Sequence, residues 1–338
     1  MREQLLDLLQ CPLCEARDIA LLESAQDKGE VREGTLVCDG CSSRFDIDKG
    51  IICLLANPSE EIILEIEGWS AKLNLDEYGP ASHDHARAWT LALPWLPGDL
   101  ESSEQDRKAW KTNGSSFEKF VLSEDLAGLK ILDIGAGRCW TSAAMVRKGA
   151  EVVALDTLTK LYIGLETADV FFEEQGIYFE RAQADMHTLP FRDSTFDIVF
   201  ATATAHHAQD FGRFSSEVRR VLTDDGRFIL INEPIAWKGD VPPVEASEGI
   251  TENMISAGMW FHLFEEGGFT PLRAQAVEGR ILSCVLRRRR PDSRIAESMR
   301  AHRHRFAIVG RSCYRYMLTR LKNFAARLRS FLGSRIAR

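Results

Sequence analysis

The stretch KILDIGAGRCWTSAAMVRKGAEVVALD, Lys130 to Asp156, decides the fold. Ile131, Leu132 and Ile134 among its first five residues give the apolar run of a buried strand. Gly135 and Gly137 then make a tight turn into a helix predicted over Thr141–Lys148. A second apolar strand, Glu151–Leu155, ends on Asp156. Strand, glycine turn, helix and strand in this order form the nucleotide-binding unit of a doubly wound sheet.

Outward from this unit the alternation continues. Strands are predicted at Ile177–Gln183, Phe196–Ala201, Gly226–Asn232, Thr270–Val277 and Arg280–Leu286. Helices are predicted at Thr159–Gln175, Arg213–Leu222 and Thr251–Glu266. The fold class is α/β, a Rossmann-like sheet of seven strands. It should be mostly parallel, with the last two strands, separated only by Glu278-Gly279, as an antiparallel hairpin.

The residues around the glycines narrow the ligand. A dinucleotide fingerprint needs a third glycine, and Trp140 stands in its place. No Gly-Lys-Ser/Thr follows, so a P-loop is excluded. Asp133 precedes the turn, Asp156 ends the second strand and Asp185 follows the third. Carboxylates there suit an ammonium group, ribose hydroxyls and an adenine amino group, and they repel a pyrophosphate. That combination describes S-adenosylmethionine. The competing reading is that these acids cap helices and turns.

The segments ILDIGAG, VVALD, AQADMHTLPF, FDIVFATATAHHAQD and LTDDGRFILINEP, in this order, resemble a class I S-adenosylmethionine-dependent methyltransferase. They are nearest the branch that includes the ubiquinone and menaquinone methyltransferases, over roughly residues 115–286. The resemblance implies that Gly135, Ala136 and Gly137 lie under the methionyl part. It also implies that Asp156 holds the ribose and Asp185 faces the adenine. Asp133, Thr157, Met186 and Ala201 complete the expected cofactor set. Cys139 and Trp140 depart from the small or polar residues common at those positions.

Methyl transfer chiefly needs alignment of the acceptor, and an oxygen or nitrogen acceptor also needs a proton removed. His206 and His207 follow the fourth strand, and Glu233 ends the fifth. These three are the catalytic candidates, His207 foremost as a base. The alternatives are that the histidines brace the turn and that Glu233 satisfies loop amides. His83 and His85, with Trp69, Trp89 and Trp110, are candidates for a lid or acceptor wall, as is the insert 235–250.

Cys11-Pro-Leu-Cys14 and Cys38-Asp-Gly-Cys41 are two C-x-x-C knuckles separated by 23 residues. Four thiolates close a tetrahedral Zn²⁺ shell with no open position, so the expected role is structural. The stretch resembles the zinc ribbon of small activator subunits that partner tRNA and protein methyltransferases. Similar ribbons precede the catalytic domain of some rRNA guanine methyltransferases. Substrate recognition and a folding staple both remain open for it.

Hydrophobic residues make up 45% of the chain and charged ones 27%, ordinary for a soluble globular protein, and no run approaches eighteen apolar residues, so no spanning helix is expected. Met1–Cys14 lacks a signal-like apolar core, so a cytoplasmic location is expected. Charge is split: residues 287–338 carry sixteen Arg and Lys against two acids, and the rest carries 26 against 48. Met317, Leu321, Phe324 and Leu328 share one helical face of this tail. A basic amphipathic helix suits the inner membrane surface, with docking on its own body and RNA binding as alternatives. The organisation expected is a ribbon (1–56), a connecting and lid region (57–128), the catalytic domain (129–286) and the tail (287–338). The acceptor is expected to be a small molecule or a lipid- or glycan-linked intermediate, methylated on oxygen. An RNA methyltransferase and a non-catalytic binding subunit are the alternatives, and the oligomeric state is open.

Overall fold

In the computed structural model, residues 1–72, 80–100, 102–236, 244–247, 250–277 and 280–289 are described. The basic tail, Cys313 and most of the insert 235–250 lie outside them.

The ribbon contributes strands β1 (Ile19–Asp27), β2 (Glu30–Cys38), β3 (Arg44–Asp48) and β4 (Ile51–Cys53). Helices α1 (Glu60–Lys72), α2 (Pro80–Ala92) and α3 (Glu104–Phe117) follow. Next come β5 (Lys130–Ile134), α4 (Trp140–Val146), β6 (Glu151–Asp156), α5 (Ala168–Gln175), β7 (Glu180–Gln183) and β8 (Phe196–Thr202). The remainder is α6 (Phe211–Val221), β9 (Leu222–Pro234), β10 (Val244–Ser247), β11 (Ile250–Glu252), α7 (Ala257–Glu266), β12 (Phe269–Val277) and β13 (Ile281–Arg288).

The expected seven strands run in the order β7-β6-β5-β8-β9-β13-β12. The first five are parallel and β13 and β12 antiparallel. From β5 the chain steps to β6 on one side and later to β8 on the other. The strand order therefore reverses between β5 and β8, and a crevice opens above their carboxyl ends. Both faces of this sheet are covered: Ile131 to Ile134 are buried, and so are Ile198 to Ala201.

The sheet does not stop at β7. Strand β4 pairs with it in parallel, Ile52 opposite Ala182 and Cys53 opposite Gln183, and β3, β2 and β1 follow antiparallel. The ribbon is thus fused edgewise, giving eleven strands among the described residues. An edge that would otherwise present unpaired amides is covered. Strand β3 alternates, with Phe45 and Ile47 buried and Arg44, Asp46 and Asp48 exposed, as an antiparallel strand with one wet face should.

Arg181 on β7 fastens this junction. It is fully buried and bonds Asp169 at 2.9 Å, Glu30 at 2.6 Å and the Lys49 carbonyl at 2.9 Å. Arg32 bonds the same two carboxylates. Removing one partner of a buried ion pair strands the other charge. Arg181→Met should therefore cost about 3 kcal/mol in denaturant unfolding, the low end of that class because Arg32 remains.

Several predicted elements change. Residues 57–128, expected as a connecting and lid region, contain three helices. Helix α3 begins at a capping box of Ser103 and Asp106, and a single π-helical turn (Glu118–Leu122) follows it. Its sequence EQDRKAWKTNGSSF is so polar that no apolar period announces it. The helix expected at Thr159–Gln175 survives only from Leu165, because Gly164 packs onto the Leu158 carbonyl; a Cβ there would approach that oxygen to 2.3 Å. The helix expected from Thr251 begins after its N-cap, Ser256, and the preceding residues form β11 instead.

Candidate functional site

The turn after β5 is stitched to the end of β6. Gly135 and Ala136 donate to the Leu155 carbonyl at 2.8 and 3.1 Å, and the Gly137 amide donates to Asp156 Oδ2 at 2.8 Å. Asp156 Oδ1 accepts from the Leu158 amide at 2.8 Å. Gly135 and Gly137 have φ of +68° and +48°, the left-handed region that favours glycine. Burial pushes the Asp156 pKa up to about 6, against the pull of the Leu158, Gly137 and Thr157 amides.

Above this turn is a cavity of about 410 Å³, within the usual size of a small-ligand site. Gly135, Ala136, Gly137, Asp156, Thr157, Asp185 and Met186 all line it. Burial raises the Asp185 carboxyl, but the ring and amide of His187, at 2.7 and 2.8 Å, hold it below its ordinary value. Asp156 and Asp185 therefore both offer acceptor oxygens to the cavity, which suits ribose and an adenine amino group and opposes a phosphate. The residues present fit S-adenosylmethionine.

Two of the expected cofactor residues are elsewhere. Asp133 is fully buried beneath the turn, where Oδ2 accepts from Thr141 at 2.7 Å and Ser142 at 2.6 Å. Its Oδ1 has no hydrogen-bond partner, and burial raises its pKa to about 7. Asp133 braces the first turn of α4 and does not border the cavity. Ala201 lies inside β8, and the next three residues, Thr202 to Thr204, form the wall instead. A strand one residue longer than expected moves the rim outward.

The catalytic candidates separate in the same way. Glu233 is fully buried, and its carboxylate accepts from the amides of Thr204 (3.0 Å), Ala205 (3.1 Å) and His206 (3.1 Å) and pairs with His206 Nδ1 at 2.9 Å. It fixes the loop after β8 and has no face toward an acceptor, so the expectation of a base there is corrected. His206 is buried behind the cavity wall. Burial works against its charged form, but Glu233 outweighs it and raises the pKa. His207 does line the cavity. Its Nδ1 lies 3.2 Å from Glu65 Oε1, with Trp69 edge-on at 6.0 Å.

Glu65 is the residue the sequence concealed. With Ile62 and Trp69 it lies on one face of α1, at i, i+3 and i+7, and that face lines the cavity. A glutamate among EEIILEIE reads as solvated; only the packing of α1 over the crevice buries it and pushes its pKa up to about 7. Trp69 and Trp110 do form cavity wall, as expected. Trp89 instead packs at the periphery of the core, and His83 packs against Tyr162 at 5.8 Å.

At the ribbon, the sulfurs of Cys11, Cys14, Cys38 and Cys41 lie within 4.8 Å of one another. Cys11 and Cys41 are 3.7 Å apart, and Cys14 and Cys38 are 3.5 Å apart. Zn–S bonds of about 2.3 Å in a tetrahedron put sulfurs about 3.8 Å apart, so the four fit a zinc ion. Ser43 pulls the Cys41 thiol down to about 6, whereas burial pushes Cys11 up to about 12.

The central unit resembles known proteins. Residues 132–230 match the methyltransferase domain family. The uncharacterized methyltransferase YcgJ of Bacillus subtilis is 36% identical over 104 residues, 30% of this chain and 40% of that one. The malonyl-[acyl-carrier protein] O-methyltransferase of Geobacter sulfurreducens is 33% identical over 32% of this chain and 40% of its own length. Among solved structures, the Burkholderia thailandensis 1,6-didemethyltoxoflavin-N1-methyltransferase, with S-adenosylhomocysteine bound, is 16% identical. It aligns with 80% of this chain and all of its own, at a TM-score of 0.43. The chain spans less than half the length of the two curated relatives, so the likeness is confined to the methyltransferase unit. No helix among the described residues is long and apolar enough to cross a membrane.

Proposed function

We propose that the protein transfers a methyl group from S-adenosylmethionine to an oxygen of a small-molecule or lipid- or glycan-linked acceptor. The observation that carries this reading is Asp156, tied to the Gly137 and Leu158 amides at the rim of a cavity that also contains Asp185. Each Asp156 oxygen accepts one amide and keeps a lone pair for a ribose hydroxyl. The bound donor would supply a methyl carbon on a cationic sulfur. Everything else is positioning by this chain. The glycine turn passes beneath the donor, Asp185 meets the adenine, and Trp69, Trp110 and Trp140 exclude water. His207, its ring set by Glu65, marks the acceptor end. The acceptor exchanges its O–H hydrogen for the methyl carbon, the C–S electrons stay on sulfur, and a proton is released. An oxygen acceptor is supported by this polar pair and by the O-methyltransferase among the relatives. A membrane-side acceptor is supported by the sixteen basic residues of the tail.

Calorimetry of the full chain with S-adenosylmethionine and S-adenosylhomocysteine tests the reading. Asp156→Ala removes charge-assisted hydrogen bonds worth about 1.5–3 kcal/mol each, so affinity should fall roughly 100-fold or more. Asp156→Asn, which keeps the shape, should fall between the two. No heat with the unmodified chain, or equal affinities in all three, would refute it. A labelled-methyl assay on fractionated extract then identifies the acceptor class; label entering RNA would overturn the lipid or small-molecule assignment.

A further inference from the structure

Where His207 meets the cavity wall, a nitrogen of His206, a nitrogen of His207 and a carboxylate oxygen of Glu252 lie within 4.8 Å of one another, and of the three His207 lines the cavity. The cluster is built from two segments far apart in the sequence. The histidines stand on the loop after β8, with ring centroids 4.1 Å apart. Glu252 ends β11, and its neighbour Asn253 clamps that strand to the loop. The Asn253 amide and Nδ2 both donate to the His206 carbonyl, at 2.9 and 2.8 Å, and Nδ2 also donates to the Ala208 carbonyl at 3.0 Å.

Each imidazole is oriented by a carboxylate of its own. His206 Nδ1 pairs with Glu233 at 2.9 Å, and His207 Nδ1 with Glu65 at 3.2 Å. A carboxylate on Nδ1 is the arrangement that fixes the tautomer of a metal-binding histidine and directs Nε2 to the ion. The charge balance points the same way. Glu65, Glu233 and Glu252 all act on the His206 ring, so two imidazoles share the site with three carboxylates.

We propose that His206 Nε2, His207 Nε2 and the Glu252 carboxylate bind a divalent first-row transition-metal ion. Two imidazoles and one carboxylate leave coordination positions open, as a reactive rather than a structural site does. Bonds of about 2.1 Å place ligand atoms at most about 4.2 Å apart, so small side-chain rotations close the present spacing. His207 borders the donor cavity, so the open positions face the acceptor. Lewis acidity there makes an acceptor hydroxyl a stronger acid, its proton passing to water, and His207 then holds the ion instead of taking the proton. This mechanistic role rests on the proposed reading of the cavity; the ion site itself does not.

The test uses the full chain with zinc already in the cysteine site and Mn²⁺ as the probe. Mn²⁺ prefers oxygen and nitrogen donors and leaves thiolate-bound zinc in place. Titration followed by electron paramagnetic resonance should show one bound Mn²⁺ per chain. Glu252→Gln and, separately, His207→Asn should each weaken it at least ten-fold with melting temperatures unchanged. No bound Mn²⁺ in the unmodified chain, or a variant that binds Mn²⁺ as tightly as the unmodified chain, overturns the site. S-adenosylhomocysteine binding on the same samples separates the two ideas. Donor binding without Mn²⁺ removes the metal site alone, and Mn²⁺ without donor binding removes the methyltransferase reading alone.

Discussion

Stripping zinc from the ribbon should lower the melting temperature of the whole chain by at least about 10 °C and abolish donor binding with it. Structural zinc contributes apparent free energies of about 10–16 kcal/mol in small units that do not fold without it. One kcal/mol is worth roughly 2–4 °C in a domain of a few hundred residues. Loss of the ribbon would ordinarily be a local event. Here β4 is hydrogen-bonded to β7, and Leu36, Cys38, Phe45 and Ile47 share one apolar cluster with Leu132 and Leu155 of the central sheet and with Phe191. The segment before Cys11 is laced to the chain after Asp185, since the Gln10 amide donates to the Pro190 carbonyl and the Arg192 amide to the Leu8 carbonyl. Unfolding the ribbon therefore exposes the β7 edge and loosens the stretch that carries Asp185 and His187. Scanning calorimetry before and after chelation, with Cys38→Ser as the genetic equivalent, measures this. A separate low-temperature transition that left the main one and donor affinity unmoved would show the ribbon to be an independent appendage.

Gly135→Ala should cost about 3 kcal/mol of stability and lower donor affinity at least 100-fold, whereas Gly137→Ala should cost about 1 kcal/mol. Both positions have positive φ, for which a side chain costs roughly 1–2 kcal/mol. They differ in what a Cβ would meet. At Gly135 it would fall 2.2 Å from Thr204 Oγ1 and 2.8 Å from Thr204 Cβ; at Gly137 the nearest atom is the Ile163 carbonyl oxygen at 3.8 Å. Thr204 has little room to yield, because Glu233 holds its amide at 3.0 Å and its hydroxyl is bound to the Thr202 carbonyl at 2.9 Å. Overpacking of this kind costs about 1–3 kcal/mol more, and relief would shift the glycine turn away from Asp156. Denaturant unfolding and donor calorimetry on the two variants give the comparison. Equal losses at both positions would mean that Thr204 moves freely, and the account of Glu233 as the brace of that loop would fail.

Much of the site is legible in the sequence alone, because it depends on local patterns. Contiguous apolar runs mark strands buried on both faces, and β5 starts and ends where its sequence says. Two glycines with positive φ follow from the turn they must make. Acids at strand ends need only the strand to be in register, and so Asp156 and Asp185 both border the cavity. The four cysteines converge because a C-x-x-C knuckle brings its own pair together.

What tertiary structure alone decided is the partner of each polar group. Asp133 and Asp156 both sit beside the glycine turn, yet one turns inward to Thr141 and Ser142 and the other borders the cavity. Glu233 looked like an acceptor ligand and is instead spent on three loop amides and His206. Glu65 reaches His207 from more than a hundred residues away, and the ribbon joins the catalytic sheet through two paired residues of β4. The periodicity of a sequence reports which face of an element avoids water. It carries no information about which distant segment will cover that face, and a carboxylate becomes a brace, a ligand or a solvated charge according to that covering segment.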